Sequence, residues 1–358
     1  MNFERINYNA KFTQHLVKQK VFEKSPLTVV DVGAREGFEA HWSLFDDQVN
    51  LIGFEPDSEE CNRLNAQVHD SKKCFHPVAL YRNKGTYPFY ITNFPASSGL
   101  YPGDMNIVER FPDDVNLKIK AVAELETTDF DSFSDQANLN NVDFMKLDTE
   151  GAEFDILEGA INSIRKSVMG ISCEALFAPW HKGQKLFSDI DILLRAAGFH
   201  LYDMSTYRHS RKSLPAKVQL GMVSNYGQLI WCQALYCRDA VHEINNGIMM
   251  ECGWDQHKIL KLCSIFEIFN LPDCAIELLQ FSKKKGIIFF SESEVTYLSD
   301  LIVSGFMGYD ITYADYLNKS ILKNKGNSTN FQNLRKLAAK IPYASNVYNL
   351  MKKISLIR

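Results

Sequence analysis

Over its first two thirds the chain alternates short β-branched apolar runs with amphipathic stretches, and after about residue 238 it changes to a uniform 3.6-residue period. Residues 8–24 place Phe12, Leu16 and Val17 on one side and predict a short amphipathic helix, which Ser25-Pro26 ends. Leu27 to Gly33 predicts a fully buried parallel strand. A helix over about 37–46, a strand from Val49 to Glu55, a helix over about 57–68 and a strand from Cys74 to Leu80 follow. This alternation predicts an α/β fold: a Rossmann-like, doubly wound, mostly parallel sheet with helices on both faces.

The alternation stops at Lys84-Gly85. Extended segments over 85–92 and 117–127 flank a Gly/Pro/Ser/Asn-rich loop, 93–116. A loop this long suits a lid or a binding loop. The pattern resumes with a strand over 142–148, a helix over 153–166, a strand over 169–175 and a helix over 186–197 that Gly198 ends. Strands over 199–204 and 229–237 complete the sheet. Helical periods then recur near 255–269, 273–284, 292–304, 311–322 and 331–354. The expected organisation is an N-terminal helix (1–27), an α/β domain with a β insertion (28–238) and an all-helical C-terminal domain with a basic tail (239–358).

Composition narrows the class. With 46% hydrophobic and 23% charged residues among 358, the chain is neither largely disordered nor a collagen nor a coiled coil. A formal net charge of -4 argues against a dedicated nucleic-acid binder. Eight cysteines without any C-x-x-C pair argue against a zinc ribbon or a dithiol redox site, and read as small apolar side chains in a reducing compartment. No 18-residue apolar run exists, and the first twenty residues hold no apolar core of signal-peptide length, so the expected location is the cytoplasm. After Asp315 there are nine Lys or Arg residues and no Asp or Glu. The basic amphipathic stretch 331–358 suits either the inner face of an anionic membrane or packing on its own domain or a second subunit, as in a homo-oligomer.

Candidate chemistry clusters at strand ends. The first strand runs into Asp31-Val-Gly33-Ala34-Arg35-Glu36-Gly37. Glycines there let a ligand approach the backbone. The G-x-x-x-G spacing is not the dinucleotide G-x-G-x-x-G, and Glu36 would repel a pyrophosphate. A ligand with a cationic centre and an amino-acid tail fits better, as in S-adenosylmethionine. The second strand ends in Glu55-Pro56-Asp57, a carboxylate placed to accept two hydrogen bonds from a ribose diol. In Asp143-x-x-Lys146-x-Asp148-x-Glu150-Gly151-x-Glu153, strand alternation puts Lys146, Asp148 and Glu150 on one side. Burying three ionisable groups is tolerated mainly where they pair or a ligand binds.

This last segment, followed by Leu157-Glu-Gly159-Ala160, resembles the hallmark of the FkbM-type methyltransferase family. Val30 to Gly37, Gly53 to Asp57, Pro77 to Leu80, Ser97-Ser98, Thr127 to Asp131, Gly183-Gln184 with Phe187, and Gly227 to Ile230 extend the resemblance over about 28–238. Phe130 and Arg35 stand where the family more often has Leu and Asn. The resemblance implies a Rossmann-like fold, S-adenosylmethionine as cofactor and methyl transfer to hydroxyl oxygen. It implies that Gly33 to Gly37 meet the methionyl part, Glu55 the ribose, Ala79-Leu80 the adenine region, and Asp148 the transfer centre. A sugar of a surface polysaccharide or glycolipid is the expected acceptor. Alternatives are a small secondary metabolite as acceptor, a non-catalytic protein that keeps the fold, and an NAD-dependent enzyme, which the glycine spacing disfavours.

An alcohol is a poor nucleophile, so a general base is expected from Asp148, Glu150, Glu174 or His181, all near strand C-terminal ends. Asp148 with Glu174 could instead hold a hard divalent cation, although no third oxygen ligand is evident. On the acceptor side stand Ser97 and Ser98 in the inserted loop, Trp180 as a stacking ring, and Arg208 and Arg211 in a basic cluster beyond the sixth strand.

Overall fold

The structure is a computed structural model and describes residues 5–215, 226–248 and 250–320. The basic stretch 331–358 lies outside the described residues.

Among the described residues ten strands form two sheets: β1 (Leu27–Val32), β2 (Val49–Phe54), β3 (Lys73–His76), β4 (Ala79–Leu80), β5 (Gly85–Thr92), β6 (Ile119–Thr128), β7 (Phe144–Leu147), β8 (Gly170–Leu176), β9 (Phe199–His209) and β10 (Gln228–Arg238). The main sheet runs in the order β3-β2-β1-β7-β8-β10-β9. All its strands are parallel except β10, which is antiparallel to both neighbours. Strand order reverses between β1 and β7, where an open α/β sheet leaves a crevice at its carboxyl edge.

Alternation along the strands divides two cores. Leu27 and Val29 of β1, Phe144 of β7 and Leu235 and Cys237 of β10 face one layer of helices. That layer contains the N-terminal helix Lys11–Lys18 and the helices Gln256–Ile268, Pro272–Lys284 and Glu292–Met307, with a further helix over 313–320. Val30 and Val32, Met145 and Leu147, Ile171 and Cys173 face the opposite layer, made by the helices Glu153–Glu158, Ile161–Lys166 and Phe187–Ala196. Every residue from Lys258 to Ile268 is buried, so that helix is the centre of its layer. The Glu267 carboxylate accepts hydrogen bonds from Phe12 N, Thr13 N and Thr13 Oγ1, tying the N-terminal helix onto it.

Several elements differ from the sequence pattern. The expected helix over 37–46 is only a 3-10 turn, Ala40–Phe45, in which His41, Trp42 and Phe45 are all buried. His41, Trp42 and Phe45 pack inward against the helical layer, while Ala40 and Ser43 stay exposed. The strand expected over 74–80 breaks into β3 and β4, and β4 leaves for the second sheet, ordered β4-β6-β5. The helix expected over 153–166 is interrupted at Gly159. There a Cβ would come within 2.3 Å of the Tyr81 carbonyl, so only glycine lets the two segments meet. The sixth strand continues to His209, which puts Arg208 and His209 in β9 rather than in a loop.

β5 and β6 form a hairpin whose connection folds back over the carboxyl edge of the main sheet. It is fastened to the segment after β8: Gly103 bridges His181, Asp104 N donates to Trp180 O (2.8 Å) and Lys182 N donates to Pro102 O (2.8 Å).

Candidate active site

The crevice at the strand ends is a cavity of about 580 Å³. Its floor is built from backbone. Gly33 follows β1 at φ +84°, and a Cβ there would lie 2.0 Å from the Asp148 carbonyl oxygen. The turns after β1 and β7 therefore touch, and a ligand over them meets main chain rather than side chain. Gly37 (φ +83°) keeps the far side of the same turn open.

Of the residues expected at a cofactor, Gly33, Arg35, Glu36, Gly37, Glu55, Pro56, Ala79, Leu80 and Asp148 line the cavity. Asp31, Ala34 and Asp57 do not. Asp31 is buried behind the floor, with its Oδ1 3.1 Å from Lys146 Nζ. Ala34 packs with Cys61, Leu64 and Phe75. Asp57 caps the helix Ser58–Gln67, accepting from Glu59 N and Glu60 N, and pairs with Arg35 (3.2 Å). Its cap leaves it no oxygen directed at a ligand in this arrangement, and its carboxyl is held low by those donors against its burial. Glu55 is 5% exposed and accepts from Asp57 N through Oε1 (2.8 Å); its Oε2 accepts no hydrogen bond among the described residues.

All four acid–base candidates, Asp148, Glu150, Glu174 and His181, line the same cavity. Asp148 Oδ2 lies 3.6 Å from Lys146 Nζ. Glu150 stands past the strand end in a left-handed backbone conformation (φ 56°), so the strict strand alternation expected for it is broken, yet it reaches the cavity and lies 4.0 Å from His181 Nε2. Burial, then the nearby Asp148 and Glu153 charges, push Glu150 up to about 8. Burial and the Asp148, Glu150 and Glu153 carboxylates push Glu174 well above the ordinary range. Burial lowers His181 to about 4, which keeps its ring neutral. Glu153 holds the β7 turn in shape, accepting from Thr149 N and Gly151 N. Among the described residues no group of three His, Cys, Asp or Glu side chains could hold a metal ion, so Asp148 and Glu174 gain no third ligand there.

On the acceptor side, Ser97, Ser98 and Trp180 line the cavity. Arg208 and Arg211 do not. Arg208 donates to Gly227 O at the strand end, and the Arg211 guanidinium lies over the Phe111 ring, 4.1 Å from its centroid. Strand alternation in β9 turns Arg208 outward while its neighbour His209 lines the cavity.

Sequence reasoning missed Glu39 and Trp231 as lining groups, and it placed His209 with Arg208 and Arg211 in a basic loop cluster. Glu39 carries a carboxyl raised to about 7, chiefly by burial. Trp231 and His209 form a second aromatic wall, with Trp231 Nε1 donating to His209 Nε2 (3.1 Å). Glu39 immediately precedes a 3-10 turn that reads as helix, and Trp231 and His209 lie on strands whose inward faces look like ordinary core.

The sheet order with one antiparallel strand and the crevice at the β1/β7 reversal define the fold class: a Rossmann-like doubly wound sheet of the class I methyltransferase type. Residues 31–201 match the family model of the methyltransferase FkbM domain. The match lies within the α/β part of the chain and leaves the helices after residue 238 outside it. Among solved structures the chain is similar to the methyltransferase FkbM from Methylobacillus flagellatus KT, with 16% identity over 59% of this chain and 43% of that one and a TM-score of 0.32. The chain thus spans less than half of that protein's length. It is also similar to the magnesium protoporphyrin IX methyltransferase ChlM from Synechocystis PCC 6803 with bound SAM (10% identity, 65% and 80% of the two chains, TM-score 0.30). A third is precorrin-6y C5,15-methyltransferase from Geobacter metallireducens GS-15 (8% identity, 63% and 87%, TM-score 0.31). No curated protein matches the chain.

Proposed function

We propose that the chain binds S-adenosylmethionine in this crevice and methylates a hydroxyl of a sugar, in a surface polysaccharide or glycolipid. The observation that carries the reading is the excess of carboxylates around the cavity. Among the described residues that line it, Glu36, Glu39, Glu55, Asp148, Glu150 and Glu174 are acidic, with burial disfavouring the charged form of Glu39, Glu55, Glu150 and Glu174 until a cation enters, and the two strongly basic side chains, Arg35 and Lys146, are already ion-paired. Such a lining favours a cation and disfavours a dinucleotide pyrophosphate.

The residues present fit that cofactor. The glycine floor admits the methionyl part against backbone, and the open Glu55 oxygen suits the ribose diol. Ala79 and Leu80 give an apolar edge for the adenine. The bound cofactor supplies an already activated methyl group. What this chain must add is alignment of the acceptor, which can supply roughly 7–11 kcal/mol. Trp180 and Trp231 offer ring faces for a sugar, and Ser97 and Ser98 offer hydroxyls at the mouth. No described helix is long and apolar enough to cross a membrane.

Isothermal titration with S-adenosylmethionine and with NAD tests the cofactor reading: binding of the first and not the second is the expected result, and the reverse overturns it. Mass spectrometry of surface glycans from cells with and without the gene tests the acceptor: loss of a methyl-sized increment is expected on deletion, and identical spectra reject the glycan.

A further inference from the structure

Four groups at the cavity are candidates to take the acceptor's proton, and the hydrogen bonds around one of them separate it from the rest. Gln184 Oε1 accepts from the His181 backbone N–H (2.6 Å) and lies 3.0 Å from His181 Nδ1. A backbone N–H can only donate. That fixes the oxygen, not the amide nitrogen, of Gln184 toward His181. The same oxygen can only accept from Nδ1, so Nδ1 carries the ring proton and Nε2 carries a lone pair. His181 is 2% exposed, and its Nε2 has no hydrogen-bond partner among the described residues. A buried acceptor without a donor is costly unless a ligand completes it.

We propose that His181, held in this tautomer by Gln184, is the general base of the methyl transfer, and that Gln184 is its positioning residue. The proposal rests on the methyltransferase reading above. As the acceptor oxygen bonds to the methyl carbon, the carbon–sulfur bond breaks and its electron pair stays on sulfur. The hydroxyl proton passes to Nε2.

The surroundings suit the step. Gly151 (φ +104°) brings the β7 turn against the ring, where a Cβ would lie 3.2 Å from Nδ1. The inserted loop closes on the other side through the Gly103–His181 bridge. Glu150 and Glu174 are hemmed in by Asp148 and Glu153, and burial with those neighbouring carboxylates disfavours the charged form of each. Asp148 is committed to Lys146. The imidazolium formed in the step would share the cavity with the Asp148 carboxylate and lie 4.0 Å from Glu150, which can give up its proton beside a positive ring.

The test uses the full chain saturated with S-adenosylhomocysteine, with histidine ring nitrogens labelled for NMR. The expected His181 signals are a protonated Nδ1 and an unprotonated Nε2, lost in Gln184→Met and kept in Gln184→Glu. A protonated Nε2 in the unmodified protein overturns the proposal. In parallel, methyl-tritiated S-adenosylmethionine is offered with a polysaccharide and polar-lipid extract of cells lacking the gene. His181→Gln should lower kcat by about 10²–10⁴-fold and Gln184→Met by about 10²-fold, with S-adenosylhomocysteine affinity unchanged. Gln184→Glu should retain turnover and move the acid limb of kcat to higher pH, since a carboxylate raises the basicity of the ring it holds. Full activity in His181→Gln sinks the base. If the unmodified protein binds S-adenosylhomocysteine but moves no label, the acceptor reading fails, while the NMR arm still decides the tautomer.

Discussion

Lys146 Nζ lies 3.1 Å from Asp31 Oδ1, and the two residues are direct partners in the β1–β7 register. The pair crosses the point where strand order reverses, and the same ammonium reaches Asp148 at 3.6 Å. One buried cation thus fixes the carboxylate that faces the cavity to the strand that carries the glycine floor. Lys146→Met should leave two buried carboxylates uncompensated and cost about 3–5 kcal/mol of stability. Chemical denaturation at pH 5 and pH 8 checks this: the loss should be larger at pH 8, where neither carboxyl can escape by taking a proton. An equal loss at both values would mean the lysine acts through its apolar stem alone.

Glu55 and Asp148 should separate in function. Glu55→Ala removes a charged acceptor for two ribose hydroxyls, at roughly 1.5–3 kcal/mol per bond, so the Kd for S-adenosylhomocysteine should rise at least about tenfold. Asp148→Asn keeps the shape of the site and removes the charge nearest the transfer centre. Turnover should be lost while S-adenosylhomocysteine still binds. Titration calorimetry with a label-transfer assay distinguishes the two, and a Glu55→Ala protein that binds normally would remove Glu55 from the cofactor site.

The ligand-free protein should lose stability as pH rises from 6.5 to 8. Glu39, Glu153 and Glu267 are raised to about 7 and Glu150 to about 8, each mainly by burial. In this window the native state holds protons that the unfolded chain has released, so the unfolding free energy falls with pH. Two buried histidines run the other way. His41 and His181 are lowered to about 3 and about 4, so their contribution is lost as pH falls below 6.5 and is complete above it. The surface carboxyls held low by donors, such as Asp57 and Glu60, act only at more acid pH. Between about pH 4.5 and 6.5 the four raised carboxyls outweigh the two lowered histidines, so the melting temperature should peak near pH 5 and fall from there to pH 8. A melting temperature that climbs steadily to pH 8 would show that these carboxyls ionise freely in the fold.

The strands of the main sheet and most residues of the crevice were legible because local pattern dictates them. Leu27 to Val32 is mostly apolar and buried throughout, which suits a strand covered on both faces, and Gly33 and Gly37 sit where left-handed backbone is needed. What the pattern hid depends on distant partners. His41, Trp42 and Phe45 space like a helix but fold as a 3-10 turn, because helices more than 200 residues away occupy the sheet face. Arg208 reads as a loop cation until the β9–β10 ladder extends past it to pair it with Leu229. The preference for His181 over its neighbours came from a side-chain amide three residues along whose orientation only a backbone donor reveals.

Asp143 gives the sharpest test of how the helices after residue 255 relate to the sheet. Its carboxylate, 1% exposed, accepts from Lys258 Nζ (2.7 Å), Lys261 Nζ (2.8 Å) and Thr28 N (2.9 Å). Two strands and the central helix of the layer therefore converge on one buried charge. Asp143→Leu leaves two ammonium groups buried without a counter-charge and should cost about 3–5 kcal/mol. Adding Lys258→Met and Lys261→Met to it should recover most of that loss, because an apolar set of similar volume needs no pairing. Lys11→Ala, which breaks the exposed pair with Asp310, should cost at most about 1 kcal/mol. Since the Asp143 cluster shares its core with both layers of the fold, the unmodified protein should unfold in a single calorimetric transition. Two resolved transitions, with only the first moved by Asp143→Leu, would instead mean that the helices melt as an independent unit and that the buried charge merely rests on the sheet.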